Sequence, residues 1–151
     1  MAGYSKRPLA QKLGIKEGMR LALIDAPDSY EELTLGDLPP RVAVGHSLRG
    51  RKDAIQVFVT EESKLRRRLP AMTRSLDVDG MLWVSWPKKT SGVVSDLDGN
   101  VVRSLGLEQG LVDIKVCAVD DVWSGLKFVF RKEDRLEIAR SRSARSGGDA
   151  A

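Results

Sequence analysis

The side chains best suited to bind a ligand follow three apolar runs of the chain. The length and pattern of each run indicate a buried strand, so these side chains are expected together at one edge of a sheet. The candidate ligand-binding residues are Asp25, Pro27, Asp28, Thr60, Glu61, Trp86, Lys88 and Lys89. An indole beside two ammonium groups and facing carboxylates is suited to a planar anionic ligand. The same residue types also anchor protein interfaces, and solvated lysines beside a tryptophan that covers apolar surface need no ligand.

The sequence lacks the common catalytic and metal-binding patterns. It has no phosphate-binding glycine loop, no nucleophile elbow and no dinucleotide fingerprint. Asp96–Asn100 carries the acids of a calcium loop, but its glycine is fourth instead of sixth, and Leu107 replaces the bidentate glutamate. His46 has no acid partner that the sequence identifies, and Cys117 lies in an apolar run typical of a packed thiol. We therefore predict no catalytic residue and no metal.

Length and composition indicate a single globular domain. The chain has 151 residues, of which 42% are hydrophobic and 30% are charged, a balance typical of a folded protein. One cysteine excludes an internal disulfide, and one cysteine with one histidine cannot form a zinc cage. No run of 18 apolar residues predicts a membrane helix, and the first residues lack the apolar stretch of a secretion signal. We expect a cytoplasmic protein with no membrane partner.

The positive charge is concentrated near the end of the chain. The net charge is +4, and residues 140–151 contain three arginines and one aspartate, so half of that charge lies there. Because this segment has no apolar periodicity, residues 136–151 are predicted to form a basic, disordered tail. Smaller basic clusters lie at 49–52, 66–68 and 88–89. No aromatic residues interleave with them, as a stacking platform for single strands requires.

The rest of the chain alternates short apolar runs with helical patterns. The predicted strands are residues 19–24, 42–44, 54–59, 81–86, 111–119 and 123–131. The predicted helices are 8–13, one from Asp28 or Ser29 to about Leu33, one after Thr60 with a kink or break at Pro70, and one capped by Ser95 or Asp96. Asp77–Gly80 is predicted to be a turn. This alternation, closed by two adjacent β-rich runs, predicts an α/β sheet with helices on both faces and a C-terminal antiparallel hairpin.

Three stretches resemble the S-adenosylmethionine-dependent methyltransferase fold. Leu13–Ile24 resembles its entry to the first strand, Leu76–Val84 its fifth strand with the preceding turn, and Gly110–Val116 with Trp123–Arg131 its closing hairpin. The resemblance implies that residues 1–135 form one Rossmann-like domain. It also implies a mostly parallel sheet of about six strands.

Several shorter motifs resemble a family of small bacterial proteins, domain of unknown function 3052. These motifs are Gly3–Ser5, Leu82–Lys89, Gly110–Asp113, Lys115–Asp120 and Trp123–Lys127. Together they extend over roughly residues 3 to 135. This resemblance implies a lineage and no activity.

Two positions depart from what the methyltransferase resemblance implies. In that fold the loop after the first strand is rich in glycine, so that bare backbone approaches the cofactor. Here the loop is Asp25–Tyr30, which has no glycine and includes Pro27. The fold usually places an acid at the end of its second strand to hold ribose hydroxyls, whereas this chain has His46 there. Both departures predict that the cofactor is not bound in the usual manner of the fold.

These observations give one leading hypothesis and two alternatives. The leading hypothesis is a non-catalytic module that binds a small ligand or a protein partner on a degenerate methyltransferase-like fold, with no cofactor expected. The first alternative is an S-adenosylmethionine-dependent methyltransferase with an altered cofactor loop, in which Asp25 and Asp28 would contact the cofactor. The second alternative is a nucleic-acid-associated protein that binds through its basic tail.

Overall fold

A computed structural model describes residues 8–150, with side chains up to residue 145. The Gly3–Ser5 motif of the sequence analysis lies outside the described residues. Six strands form one sheet in the order β2-β1-β3-β4-β6-β5. Their bounds are β1 Arg20–Ile24, β2 Ala43–Gly45, β3 Lys52–Phe58, β4 Leu76–Pro87, β5 Leu111–Ala118 and β6 Trp123–Phe130.

Four α-helices and three shorter helical segments connect the strands. The α-helices are α1 Leu9–Leu13, α2 Glu62–Ser75, α3 Gly99–Glu108 and α4 Arg135–Ala150. The shorter segments are a π-helix at Tyr30–Leu35 and 3-10 turns at Lys89–Ser91 and Lys132–Asp134. Within residues 8–150, no helix combines the length and the apolar character that crossing a bilayer requires.

The strand directions confirm the predicted α/β sheet. Strands β1, β2, β3 and β4 are parallel, with Leu21 opposite Ala54 and Ile55 opposite Leu82. Strand β6 is antiparallel to both β4 and β5, so the chain closes with the predicted hairpin. Strands buried by cover on both faces are expected to be continuous apolar runs, and residues 21–24 of β1 and 54–58 of β3 are all buried.

Each face of the sheet is covered by its own apolar core. On one face, α2 and α3 contribute Leu65, Leu69, Met72, Val102 and Leu105. On the other face, α1 and the π-helix contribute Leu13, Tyr30 and Leu35. The Trp83 indole bridges from the sheet to α1, since its Nε1 donates to the Leu13 carbonyl oxygen at 2.9 Å. Helix α3 can pack close to β6 because Gly106 has no side chain. A Cβ at this position would overlap the ring of Phe128.

Several local expectations differ from the structure. Asp77–Gly80 is not a separate turn; it is an irregular part of β4, in which the six residues from Leu76 to Met81 lie opposite only the three residues from Lys52 to Ala54 of β3. Helix α2 is continuous through Pro70 instead of splitting there. Helix α3 is capped by Asp98, whose carboxylate accepts from the backbone N–H of Val101 at 2.9 Å, and not by Ser95 or Asp96.

The segment predicted to be a disordered tail has helical structure. Helix α4 begins at Arg135, and Ile138 packs against the core on the α2 side of the sheet. The Arg142 guanidinium donates to the carbonyl oxygens of Leu76 and Thr73 at 2.7 and 3.1 Å. These contacts join the helix to the end of α2, and such long-range bonds have no local signal in sequence.

Candidate functional site

The carboxyl ends of the parallel strands meet at one edge of the sheet, where ligands of open α/β sheets bind. Strand β1 ends before Asp25, β3 ends before Val59 and Thr60, and β4 ends at Pro87. Seven of the eight sequence-predicted site residues therefore follow strands at this edge, and Trp86 lies within β4, next to its last residue. The structure separates them into two groups.

The first group lines a cleft beside the ends of β1 and β2. This cleft has a volume of about 410 Å³ and is called the acidic cleft below. Four carboxylates and one imidazole line it, so its charge is predominantly negative. The lining residues are Leu23, Asp25, Ala26, Pro27, Asp28, Ser29, Tyr30, Glu31, Glu32 and His46.

A buried tyrosine forms the inner wall of the acidic cleft. Tyr30 is only 2% exposed, and its ring packs edge-on against Phe58 with 4.7 Å between centroids. Its hydroxyl donates to Gln56 Oε1 at 2.7 Å, and Gln56 Nε2 in turn lies 3.4 Å from Ser85 Oγ. Burial raises the pKa of the Tyr30 hydroxyl above its usual range. The tyrosine is thus a neutral, hydrogen-bonded part of the core.

The loop that leads to Tyr30 turns without glycine. Asp25 and Ser29 both have left-handed backbone conformations, with φ of 58° and 66°. Left-handed conformations are uncommon for residues other than glycine, and aspartate is among those that adopt them most often. The loop therefore places side chains at the cleft where a glycine loop would leave exposed backbone.

The carboxylate of Asp25 is already paired with cations of the same chain. Arg68 Nη2 lies 2.6 Å from Asp25 Oδ2, and Lys64 Nζ lies 3.4 Å from it. Both cations come from α2, where a spacing of four residues places them on one face. That spacing is visible in the sequence, but the pairing partner forty residues earlier is not. Asp25 is therefore neutralised before any ligand arrives.

His46 has an acid partner that the sequence did not identify. Its Nε2 contacts Glu31 Oε1 across the mouth of the cleft. Glu31 lies in the first turn of the π-helix, and His46 directly follows β2. The sequence gives no signal for this contact, because the acid comes from a separate element of the fold.

The second group of predicted residues lies outside the acidic cleft. The backbone of Thr60 is fixed by Ser95, whose hydroxyl donates to the Thr60 carbonyl oxygen at 2.7 Å. Glu61 is the residue before α2, and Lys88 and Lys89 are beside the 3-10 turn that follows β4. None of these residues lines the acidic cleft. The structure does not bring the lysines and the Asp25 loop into one pocket.

Trp86 is part of the core rather than a free ligand platform. The residue is 8% exposed, and its ring lies 3.7 Å from the position of a Cβ at Gly99. It belongs to the apolar cluster that also holds Leu97 and Val102. An anionic ligand stacked on this indole would need the α3 start to move away.

The remaining candidates are Cys117 and any cluster of metal-binding side chains. Cys117 is buried in β5 with its Sγ 3.3 Å from the Ala118 carbonyl oxygen, as expected for a packed thiol. Among residues 8–150, no group of three or more histidine, cysteine or acidic side chains is arranged to hold a metal ion.

Comparison with known proteins is informative at the level of structure. No family model matches the sequence, and no curated protein matches it. A precorrin-6y C5,15-methyltransferase from Geobacter metallireducens is similar with a TM-score of 0.57 and 10% identity, over 82% of this chain and 86% of the other. A TehB-like SAM-dependent methyltransferase from Corynebacterium glutamicum gives 0.54 and 12%, over 86% and 91%. The fold is methyltransferase-like.

A further structure shows the same arrangement with a ligand bound. The magnesium protoporphyrin IX methyltransferase of Synechocystis, solved with bound SAM, has a TM-score of 0.53 and 10% identity, over 82% of this chain and 74% of the other. Identities this low establish the fold alone. They confirm the predicted Rossmann-like sheet.

Proposed function

We propose that this chain is a non-catalytic binding module whose acidic cleft takes a small cationic ligand. The observation that carries the proposal is the charge of the cleft. Asp25 is paired with Lys64 and Arg68, whereas no cation of the described residues lies within ion-pair distance of Asp28 or Glu32. Two carboxylates at the mouth of a concave site favour a positively charged group.

The chemistry of the cleft differs from the sequence-based expectation of an anionic ligand. That expectation depended on Trp86, Lys88 and Lys89 facing Asp25 and Asp28, and these groups do not share a pocket. An amine or guanidinium group, on a small molecule or on a side chain of a partner protein, suits Asp28 and Glu32. The Glu31–His46 pair adds a further acid whose charge is partly compensated when the imidazole is protonated.

S-adenosylmethionine is the ligand that the fold suggests, since the similar Synechocystis enzyme was solved with bound SAM. The residues present argue against its binding in the manner implied by the resemblance. The loop from Asp25 to Tyr30 contains Pro27, which has no N–H to donate, and the left-handed positions carry side chains. Asp25 is held by α2, and Tyr30 closes the inner wall.

Thermal unfolding with a panel of ligands tests the proposed cleft. The probes are spermidine, S-adenosylmethionine, S-adenosylhomocysteine and ATP. A ligand at 100 times its Kd adds about 2.7 kcal/mol of stability, which raises the Tm of a domain of this size by about 5 °C or more. We expect a shift with spermidine and none with S-adenosylmethionine or S-adenosylhomocysteine. The double variant Asp28→Asn/Glu32→Gln should lose that shift.

The matched control removes two acids elsewhere. Asp79→Asn/Glu133→Gln changes the net charge equally at two exposed positions outside the cleft, and it should keep the shift. An equal loss in both double variants would mean that the probe binds through overall charge, and the cleft assignment would fail.

Methyltransferase activity is the second candidate, and the fold comparison is what favours it. Incubation of the chain with methyl-labelled S-adenosylmethionine and cell extract tests it directly. Transfer of label that is abolished by Asp25→Ala would overturn the non-catalytic proposal. The Asp79→Asn/Glu133→Gln variant serves as control in this assay too.

Membership of domain of unknown function 3052 stays a prediction, since no family model matches the chain. It is supported by the placement of two of the motifs. Leu82–Lys89 and Trp123–Lys127 lie on neighbouring strands, with Trp86 opposite Ser124 and Pro87 opposite Trp123. Motifs that are separate in sequence thus form one continuous part of the sheet.

A further inference from the structure

A second concave surface lies at the opposite edge of the sheet from the acidic cleft. It has a volume of about 530 Å³ and lies where the end of α2, the end of β6 and helix α4 meet. We call it the arginine groove, after the four arginines that line it. Its lining residues are Arg51, Pro70, Thr73, Arg74, Gln109, Phe130, Ile138, Arg142 and Arg145.

The four arginines come from three separate elements. Arg51 precedes β3, Arg74 lies in the last turn of α2, and Arg142 and Arg145 lie on α4. Within the described part of the chain, none of them is within ion-pair distance of a carboxylate. Five of the ten described arginines outside the groove are paired with acids of the same chain: Arg20, Arg41, Arg66, Arg68 and Arg103.

Internal bonds hold two of these guanidinium groups in place. Arg142 donates to the carbonyl oxygens of Leu76 and Thr73, and its guanidinium carbon lies 5.5 Å from the centroid of the Phe130 ring. Arg51 Nη1 donates to the Arg74 carbonyl oxygen at 2.5 Å. Each guanidinium has five N–H donors in a planar fork, so donors remain for a ligand. The bonds also complete the carbonyl end of α2.

The positive charge of the groove is only weakly compensated. Burial lowers the pKa of Arg142, and the nearby Arg51 and Arg145 lower it further. The acid that acts on Arg142 is Asp77, which also lies 3.8 Å from Arg20. Charge repulsion of this kind is relieved by an anion that accepts from several guanidinium groups at once.

The basic surface continues beyond the groove. A neighbouring concavity of about 450 Å³ shares Arg51 and Arg74 with it and is also lined by Leu48, Gly50, Ala71 and Ser75. Two contiguous concavities joined by a pair of arginines suit a row of phosphates better than a single ion. Phe130 is only 4% exposed, so its ring is not available to stack on a base.

We propose that the arginine groove binds the phosphate backbone of a nucleic acid without reading its sequence. Arginine forks match phosphate oxygens in bidentate geometry, and backbone contacts position a strand without specifying bases. From the sequence alone, nucleic-acid binding is expected through a disordered basic tail. In the structure, Arg142 and Arg145 of that segment are instead part of a groove formed with α2 and β3.

Fluorescence anisotropy with a labelled 20-base-pair DNA duplex tests the proposal. Binding by the full chain should weaken steeply as salt rises from 50 to 200 mM. The double variant Arg74→Gln/Arg145→Gln should bind about tenfold more weakly at 50 mM salt. The slope of log K against log salt should fall by about two, one for each phosphate contact removed. Neither side chain holds a buried group, so the Tm should stay unchanged.

The matched control removes two exposed lysines from the α1–β5 side of the molecule. Lys16→Gln/Lys115→Gln makes the same charge change near Lys127, away from the groove. It should reduce affinity by less than twofold. An equal loss in the lysine variant would show attraction to overall charge and would overturn the proposal. Absence of binding at 50 mM salt, or displacement of the duplex by ATP at the same phosphate concentration, would also overturn it.

Discussion

The acidic cleft and the arginine groove lie at opposite edges of one sheet and differ in how their charges are compensated. In the cleft, Asp25 is paired with Lys64 and Arg68, Glu31 contacts the His46 imidazole, and Tyr30 is hydrogen-bonded into the core. In the groove, the side chains of Arg51, Arg142 and Arg145 donate to carbonyl and hydroxyl oxygens. The net charge of +4 is therefore a poor guide to either region, because carboxylates line the cleft at one edge of the sheet and arginines line the groove at the other.

Helix α2 explains much of this separation. It begins at the edge with the acidic cleft and ends at the edge with the arginine groove. Its first half supplies Lys64 and Arg68 to the Asp25 carboxylate, and its last turn presents the carbonyl oxygens of Arg74 and Thr73 to Arg51 and Arg142. The carbonyl end of a helix carries partial negative charge, which favours arginines there. One helix thus neutralises the acid at one edge and gathers cations at the other.

The largest effect is expected when the apolar floor of the groove is removed. Phe130→Ala empties a buried site at the end of β6 and removes the ring beneath Arg142. Phenylalanine-to-alanine changes in cores cost about 3–5 kcal/mol, which urea unfolding measures. Val94→Ala, at a position 92% exposed, should cost less than 0.5 kcal/mol. A loss below about 1 kcal/mol for Phe130→Ala would mean that the groove floor is not part of the core.

The core of the fold could be predicted because its signals are local. The apolar runs of β1 and β3 and the closely spaced β5 and β6 are visible in the sequence, and the structure has them within one or two residues of the predicted bounds. Helix α4 could not be predicted in this way. Its apolar contact through Ile138 is small, and its docking depends on Arg142 meeting carbonyl groups nearly seventy residues away.

The site residues illustrate the same limit. Asp25 and Asp28 could be placed at the sheet edge because they follow a buried strand. The partners of Asp25 could not be predicted. The i,i+4 spacing shows that Lys64 and Arg68 share one face of a helix, but it does not show which residue that face contacts. Trp86 is buried because it packs in the apolar cluster with Leu97 and Val102, a contact between separate elements that the sequence does not show.

The second largest effect is expected for the arginine that joins α4 to α2. Arg142→Gln should cost about 2 kcal/mol, because it leaves the carbonyl oxygens of Leu76 and Thr73 without a charged donor. Hydrogen exchange should increase over residues 135–145 and at the end of α2. If stability fell while exchange in α4 stayed unchanged, the arginine would not be what docks the helix.

In the cleft, a smaller effect is expected from removing one hydroxyl. Tyr30→Phe leaves the Oε1 atom of the buried Gln56 without its donor, which should cost about 1–2 kcal/mol in urea unfolding. The double variant Tyr30→Phe/Gln56→Leu tests the pairing. Its loss of unfolding free energy should be smaller than the sum of the losses in the two single variants. The reason is that Gln56→Leu removes the Oε1 acceptor that Tyr30→Phe leaves without a donor. Additive losses would contradict the hydrogen bond.

The smallest effect is expected at Arg20, which, unlike the arginines of the groove, is paired with an acid. Arg20 Nε and Nη2 each lie 3.0 Å from a carboxylate oxygen of Asp53, and the hydrogen bond from Arg20 lowers the pKa of Asp53. A carboxylate with a lowered folded-state pKa adds stability above its unfolded pKa of about 3.9, and that stability is lost as pH falls through the folded value. The pair is partly exposed, so Asp53→Asn should cost only about 0.5 kcal/mol at pH 7.

The pH dependence of these two variants separates the two kinds of arginine. The difference in the free energy of unfolding between the wild-type chain and Asp53→Asn, measured with urea, should shrink between pH 4 and pH 2.5. At low pH the Asp53 carboxyl is protonated in both the folded and the unfolded state. The difference for Arg142→Gln should stay level over the same range, since the carbonyl oxygens that Arg142 bonds do not titrate. If both differences in the free energy of unfolding declined in parallel, a titrating acid would be acting on Arg142. That acid is Asp77, which raises the pKa of Arg142, and it would then compensate the positive charge of the groove. The arginines would then be paired at neutral pH, and the contrast with the acidic cleft would disappear.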